Sequence, residues 1–354
     1  MRVSGVALVV GTTGVTGTPF TEQLLREGWA VYGASRRPPQ LKAGTPLRHF
    51  VHLPVDLGDK VTLSNALRGA PDVTHVFHCV NIGTRAAQTQ SMVDLLDALE
   101  TYAAGFRNIS LLQGMKYYGC HLGPFRTPAR EDDVRLAVND FYYDEEDLVR
   151  QRQLGRSWTW TALRPHSVCG YAAGNPLNLA LVLAVYASIR RERGEALWFP
   201  ASYNCFHSLF QVMDAELLAR CAIHVATNPV CANNIYNVSN GRFFQWRELW
   251  PALAAYFGLK AEGPGELPLA DFLTQQKSTW ESMSARYGLR SFPIDRAPAW
   301  VSGDYTAPNS RFSAVYDIIA DTTKFRRTGF SETIDNTEMF LRLFERYRAE
   351  RIIP

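Results

Sequence analysis

Lys116 and Tyr142 are the residues of this chain best suited to do chemistry. Lys116 opens the phrase Lys116-Tyr117-Tyr118, and Tyr142 lies within Asn139-Asp140-Phe141-Tyr142-Tyr143-Asp144-Glu145-Glu146-Asp147, both downstream of a glycine-rich turn at residues 11–17. A tyrosine and a lysine placed after a nucleotide-binding turn suggest a nicotinamide-dependent reductase. In the ordinary arrangement the two are spaced Tyr-x-x-x-Lys, so that one helical turn sets both on one face. Here Glu146 stands four residues after Tyr142. The lysine must come from elsewhere, and the catalytic pair is divided.

Positioning such a pair calls for a sheet whose strand ends converge. Val6-Ala-Leu-Val-Val10 is an apolar run suited to a strand buried on both faces, and Gly11-Thr12-Thr13-Gly14-Val15-Thr16-Gly17 then turns into an amphipathic stretch through Leu25, with Gly28 placed to end it. Ala30 to Ser35 completes a β-α-β unit. Phe50 to Val55, Val73 to Cys79 and Asn108 to Gln113 read as further strands, separated by helical segments around 59 to 69 and 86 to 104. This alternation predicts an α/β protein with a right-handed, Rossmann-like doubly wound parallel sheet. After Tyr142 a helix runs to about Gln153, Trp158 to Leu163 is a strand, and Arg164-Pro165 is its exit. Later, 176 to 193 and 246 to 257 read as helices, 234 to 239 as a strand returning to the sheet, and the Gly- and Pro-containing piece 258 to 268 as a connection. The expected division is a dinucleotide-binding domain over 1–170, rejoined by about 206–242, and a smaller, mainly C-terminal substrate lobe over 171–205 and 243–354.

A chain of 354 residues with 46% hydrophobic content can bury one core with a smaller lobe or two domains. Its net charge of +3 comes with no Lys/Arg tract, so no nucleic-acid partner is expected, and Arg190-Arg191-Glu192-Arg193 reads as a solvated helix end. The six cysteines, at 79, 120, 169, 205, 221 and 231, lack C-x-x-C spacing and read as reduced, buried thiols. Neither they nor His166 and His207 suggest a metal. The sequence enters a strand within a few residues and has no apolar span of about 20 residues, which gives the expectation of a cytoplasmic protein without a membrane partner.

Gly11 permits a tight turn, Gly14 permits backbone approach to a pyrophosphate, and Gly17 permits close helix-sheet packing, while the helix N-terminus presents amides to phosphate. At the end of the second strand stands Ser35-Arg36-Arg37 rather than an acid that would hold a ribose diol. Two guanidinium groups suit a 2′-phosphate and favour NADPH/NADP+; the alternative is a solvated basic turn. Asp56-Leu57 follows the next strand, where the carboxylate either accepts from the adenine amino group or caps a helix.

These phrases resemble the progesterone 5β-reductase and iridoid synthase family, a divergent branch of the extended short-chain dehydrogenases. The resemblance runs through nearly the whole chain: the glycine turn, Tyr32-Gly-Ala-Ser-Arg-Arg37, Val73-Thr-His-Val-Phe77, the Lys116 phrase, Gly123-Pro-Phe125, Phe141-Tyr-Tyr143 with Glu146-Asp147, Trp160 to Pro165, Tyr236-Asn-Val-Ser-Asn-Gly241 and Ile352-Ile-Pro354. It implies NADPH-dependent reduction of carbon–carbon double bonds conjugated to carbonyls, with Tyr142 and Lys116 as the catalytic pair. As hydride reaches the β-carbon of an enone, negative charge gathers on the carbonyl oxygen; a phenol stabilises that enolate, and an ammonium holds the phenol and the cofactor ribose. One well-aimed oxyanion donor contributes about 2.7 to 4 kcal/mol. The resemblance also implies cofactor contacts from Val80, Gln113, Val168 and Asn175, and a homodimer through the helix after Tyr142 and the 86 to 104 helix, unless their apolar stripes pack internally.

Two departures bear on substrate choice. Gly119-Cys120-His121-Leu122 lengthens the loop after the lysine phrase, and Trp300-Val-Ser302-Gly-Asp304 puts Ser302 where plant members often have a substrate-facing aromatic. The sequence therefore points to a small apolar enone or enal without identifying it. Reduction of the carbonyl by the same pair is the second reading, and a non-catalytic NADPH sensor the third. Tyr143 reads as a packing aromatic, Tyr117 and Tyr118 as pocket or core, and Leu177 to Ala187 with Phe206 and Phe210 as pocket lining or lobe core.

Overall fold

The computed structural model describes residues 5–80, 83–138, 140–172, 178–265, 267–290, 294 and 316–354. Seven strands form the central sheet: β1 (Val6–Val10), β2 (Ala30–Ser35), β3 (Phe50–Pro54), β4 (His75–His78), β5 (Asn108–Leu112), β6 (Thr159–Pro165) and β7 (Asn234–Val238). Their order is β7-β6-β5-β4-β1-β2-β3, with every neighbouring pair parallel. The chain leaves β1 to build one half through β2 and β3, then crosses back to β4. The switch point of a doubly wound sheet therefore lies between the C-terminal ends of β1 and β4, where such folds open a crevice.

Both faces of the sheet are covered. Ala7 and Val9 pack with Phe20 and Leu24 of α1 (Gly17–Arg26) and with Leu217 and Leu218 of a later helix, Ala215–Thr227. Leu8 and Val10 face α2 (Lys60–Arg68) and α3 (Arg85–Tyr102), and Val149 of α4 (Phe141–Gln153) joins that core. Residues 7–10 are fully buried, which is why β1 is apolar without alternation. Met92, Leu95, Leu96 and Leu99 of α3 face this internal core. Ion pairs from Arg152 to Asp97 and Glu100 tie α3 to α4.

The C-terminal lobe is built around α5 (Leu179–Glu192), α7 (Trp246–Tyr256) and α8 (Asn336–Ala349), while α6, the helix Ala215–Thr227 already placed, lies on the sheet beside α1. Of the stretch Leu177 to Ala187, Leu177 lies outside the described residues and the remainder is buried, as is Phe210, so these residues are core rather than pocket lining, with Phe206 half-buried against them. The segment 258 to 268 is more than a connection: Ala261–Pro264 forms a strand beside Leu197–Phe199, with a register shift between Glu262 and Pro264. Gly263 and Pro264 disguise it, because neither is a strand former. Arg346 of α8 reaches the buried Glu22 of α1 at 3.1 Å and so anchors the lobe to the helix that follows the glycine turn.

Candidate active site

The glycine turn closes at the switch point. Gly11 has φ +86°, and a Cβ there would lie 2.5 Å from Val80 Cγ2 and 2.7 Å from the Cys79 carbonyl oxygen. A Cβ at Gly17 would overlap the Gly11 carbonyl, so α1 begins pressed against the turn, a distance only glycine allows. Gly14 is different. A Cβ there would meet nothing nearer than the Gly11 oxygen at 3.4 Å, an ordinary contact. Among the described residues no packing reason demands glycine at 14, whereas close approach of a ligand to the backbone there would. The first turn of α1 holds no acidic residue, and Thr16 makes no side-chain cap; Thr18 N bonds the Gly14 carbonyl at 3.1 Å and Pro19 has no N–H, so what the turn offers an anion is chiefly the partial positive charge of the helix end. These features fit a pyrophosphate.

Of the other cofactor candidates, Val80 packs directly against this turn. Thr13 is exposed beside it, and Val15 packs against Gly170, next to Val168 in the short strand Val168–Cys169. Arg36 and Arg37 are exposed at the end of β2, and neither guanidinium has a partner among the described residues. Asp56 is exposed and accepts from Gly58 N at 3.0 Å, while Asp59 caps α2 by accepting from Val61 N. The Leu57 side chain is buried in the core beneath α2. The Val80 carbonyl accepts from Gln88 at 3.1 Å. Asn175 and Ser302 lie outside the described residues.

Tyr142 and Lys116 reach one strand end from two elements. Tyr142 is in the first turn of α4, whose N-cap Asp140 accepts from Tyr142 N at 2.9 Å. A Cβ on Gly114 would lie 3.4 Å from the Tyr142 hydroxyl, so the phenol extends over the residue that leaves β5. Lys116 follows two residues on, in the 3₁₀ turn Met115–Tyr118. It is half-buried; burial draws its pKa below the usual lysine value, while Cys120 and Asp140 work in the opposite direction. The cap of the tyrosine helix thus sits in the field of the lysine. Burial raises the Cys120 thiol to about 12, against the pull of Lys116. His121, in the same loop, is held below its ordinary value by burial and by Lys116.

Beneath the pair lies a buried polar network. Arg164, fully buried, donates to Gln113 Oε1 at 2.8 Å, to the Tyr118 hydroxyl at 3.0 Å and to Glu146 Oε2 at 2.8 Å, and its guanidinium stacks 3.2 Å from the Tyr117 ring centre. Gln113 in turn donates to the Tyr142 carbonyl and to Glu146, each at 3.2 Å. The Tyr143 hydroxyl donates to the Tyr117 carbonyl at 2.7 Å, and its ring packs edge-on against Tyr117. Arg135 bonds the Tyr117 hydroxyl and Glu146. Tyr118 passes the network to Asn237 of β7 at 2.7 Å. Tyr143 therefore packs and also bonds, and Tyr117 and Tyr118 are core. Glu146, in the place where a one-helix pair carries its lysine, turns inward and holds three arginines. Burial would raise its pKa, yet Arg164, Arg150, Gln113 and Arg135 bring it below the ordinary carboxylate value.

A second buried carboxyl lies on the same helix. Glu145 accepts from Gln88 at 2.8 Å and stands 3.9 Å from His78 at the end of β4. Burial pushes the Glu145 carboxyl up to about 8 and the His78 imidazole down to about 4. Between those limits both are neutral. Gln88 also holds the Val80 carbonyl, so this pair supports the loop next to Gly11 from behind.

A parallel sheet with a glycine turn at its switch point, met by a tyrosine and a lysine at the end of β5, defines a nucleotide-dependent enzyme of the short-chain dehydrogenase/reductase type. The profile of the PRISE-like Rossmann-fold domain matches residues 66–354, and that of the NAD dependent epimerase/dehydratase family matches residues 7–112. The chain belongs to the PRISE-like Rossmann-fold family. It is 30% identical to a short chain dehydrogenase of Penicillium aethiopicum, over 98% of this chain and 99% of that protein. It is 29% identical to a 3-oxo-Delta(4,5)-steroid 5-beta-reductase of Arabidopsis thaliana (99% and 93% covered) and 28% to an (S)-8-oxocitronellyl enol synthase of Catharanthus roseus (99% and 92%). The resemblance read from the motifs is thereby borne out. Among solved structures, UDP-glucose 4-epimerase of Thermotoga maritima superposes with a TM-score of 0.68 at 16% identity, covering 97% of this chain and 99% of that one. The corresponding Thermus thermophilus enzyme in complex with NAD gives 0.66 at 18%, with the same coverage. These likenesses show the fold. Among the described residues no helix is long and apolar enough to cross a membrane.

Proposed function

We propose that this protein reduces the carbon–carbon double bond of a small apolar enone or enal by conjugate addition of hydride, with NADPH as reductant. The observation that carries this reading is the divided pair: a tyrosine hydroxyl over Gly114 and a lysine turn two residues beyond it, fixed to one another through Tyr143, Arg164 and Glu146. Bound NADPH supplies the hydride. Tyr142 donates a hydrogen bond to the substrate carbonyl oxygen, which gains charge as the double bond is attacked. Lys116 holds the phenol and the ribose of the cofactor. The α-carbon then takes its proton from water. Arg36 and Arg37, exposed at the end of β2 and without partners among the described residues, support the choice of a 2′-phosphorylated cofactor. The relatives with steroid reductase and enol synthase names support the class of substrate without fixing it.

Single-turnover hydride transfer at saturating NADPH tests the assignment. Tyr142→Phe deletes the donor and keeps the ring, so the rate on a weakly activated enone should fall about 100- to 1000-fold, the cost of one oxyanion donor. Lys116→Ala should weaken cofactor binding as well. The Tyr142→Phe penalty should shrink as the enone becomes more electrophilic. Unchanged rates in both variants, with intact cofactor binding, would remove these two residues from the centre.

A further inference from the structure

The basic turn at the end of β2 is held in place by a side chain from the neighbouring strand. In the β2–β3 register His52 pairs with Gly33 and Pro54 with Ser35. The Phe50 ring occupies the space beside Gly33, where a Cβ would come within 2.8 Å of it. His52, two residues on along the same face, reaches along the strand to its end. Its Nε2 lies 3.0 Å from the Ser35 carbonyl oxygen and 3.2 Å from Ser35 Oγ. Ser35 Oγ donates onward to the Arg37 carbonyl at 2.6 Å. The same Ser35 carbonyl accepts from Val55 N at 3.1 Å. Ser35 is buried and His52 half-buried, while Arg36 and Arg37 are exposed and without partners among the described residues.

The chemistry of this arrangement is a relay of positions. Donation from Nε2 to the Ser35 carbonyl fixes the last residue of β2, and the serine hydroxyl then fixes the carbonyl two residues later. The main chain around Arg36 is closed from below, and the two guanidinium groups leave it on the solvent side. An arginine side chain surrenders considerable rotamer freedom when it binds. Loss of main-chain freedom would add to that cost, so a turn fixed before binding favours the ligand.

We infer that His52, acting through Ser35, is a specificity-determining positioning residue that aims Arg36 and Arg37 at the 2′-phosphate of an adenosine nucleotide. The inference rests on the NADPH reading above. It predicts a selective effect: a ligand with a 2′-phosphate depends on His52, and one with a free 2′-hydroxyl does not.

Calorimetric titration of the full chain with adenosine 2′,5′-bisphosphate and with 5′-AMP tests it without turnover. His52→Ala should weaken the bisphosphate about tenfold, the size of one lost hydrogen bond, and leave 5′-AMP within about twofold. Ser35→Ala should show the same selective loss, and it decides the matter if His52→Ala does not fold. His52→Gln, which restores an amide donor, should recover most of the bisphosphate affinity. Bisphosphate affinity unchanged in both alanine variants would overturn the inference while leaving the cofactor reading intact, provided the wild type prefers the bisphosphate. Equal losses for both ligands would also overturn it, by reducing His52 to a general support of β2. A wild type that binds the two ligands equally would instead refute the NADPH reading, and the inference with it.

Discussion

Glu146→Gln is the perturbation that most sharply separates a structural carboxylate from a decorative one. Three guanidinium groups surround Glu146: Arg164 at 2.8 Å, Arg150 at 2.9 Å and Arg135 at 3.0 Å. The Arg150 and Arg135 side chains are 51% and 31% exposed, so solvent screens them and each pair contributes at most about 1 kcal/mol. Arg164 is 0% exposed. Stripping the carboxylate from a buried cation costs about 3–5 kcal/mol. Glutamine keeps one acceptor oxygen, and Arg164 retains Gln113, Tyr118 and the Tyr117 ring, which places the loss near the lower end, about 3 kcal/mol. That is a large part of the roughly 5–15 kcal/mol that holds a native protein together. Urea denaturation should show it, with Arg150→Ala as a control that moves stability by no more than about 1 kcal/mol. The same network carries the Tyr142 carbonyl and the Lys116 turn, so single-turnover hydride transfer should fall more than cofactor affinity. The penalty also has a pH signature. A carboxyl whose pKa is depressed below its ordinary 4.5 stabilises the fold above that pH and loses its contribution as the pH falls through the folded value. The gap between wild type and variant should therefore close in acid. A variant as stable as the wild type at pH 7, with an unchanged hydride rate, would refute the claim that Glu146 organises the site.

Two further outcomes follow from the geometry. Gly17→Ala should destabilise the fold measurably in a thermal melt, because its Cβ would overlap the Gly11 carbonyl, whereas Gly14→Ala, with 3.4 Å of clearance, should melt like the wild type yet lose most of its cofactor affinity; equal melting temperatures for both would contradict this. Glu145→Gln should gain stability over the wild type as pH rises from about 4.5 to about 8: the folded carboxyl keeps its proton up to about 8, the unfolded chain releases it from about 4.5, and stability of the wild type falls across that window. Melting temperatures at pH 4.5 and pH 8 should differ little at the first and clearly at the second, and a constant offset would contradict the assignment.

The parts of this fold that repeat a local rule were legible in the amino-acid sequence. β1 is an unbroken apolar run, Ala30–Ser35 has the same bounds as expected, and α2 and α3 fall within a residue or two of their expected spans. Arg164 and Pro165, read as the exit of β6, instead lie inside it, because β7 pairs out to Pro165. The helix Ala215–Thr227 was not anticipated, although Asp214 accepting from Leu217 N is an N-cap that its sequence could have signalled. The polar network was not legible, for a physical reason. Gln113 and Tyr118, just beyond β5, meet Glu146 of α4, Arg164 of β6 and Asn237 of β7, residues that no periodic spacing links. Gln113 read only as a cofactor neighbour, and Arg164 only as the exit of a strand. The Lys116 and Tyr142 phrases drew attention by composition, but the side chains that hold them became visible only when the strands stood side by side.

The central claim is that hydride goes to the β-carbon of an activated double bond. Incubating the protein with NADPH dideuterated at nicotinamide C4 and 2-cyclohexen-1-one, then locating the label by NMR, tests it most directly. The account predicts cyclohexanone carrying one deuterium at the carbon β to the carbonyl. Deuterium on the carbinol carbon of the allylic alcohol would contradict it, and would assign the same tyrosine and lysine to carbonyl reduction.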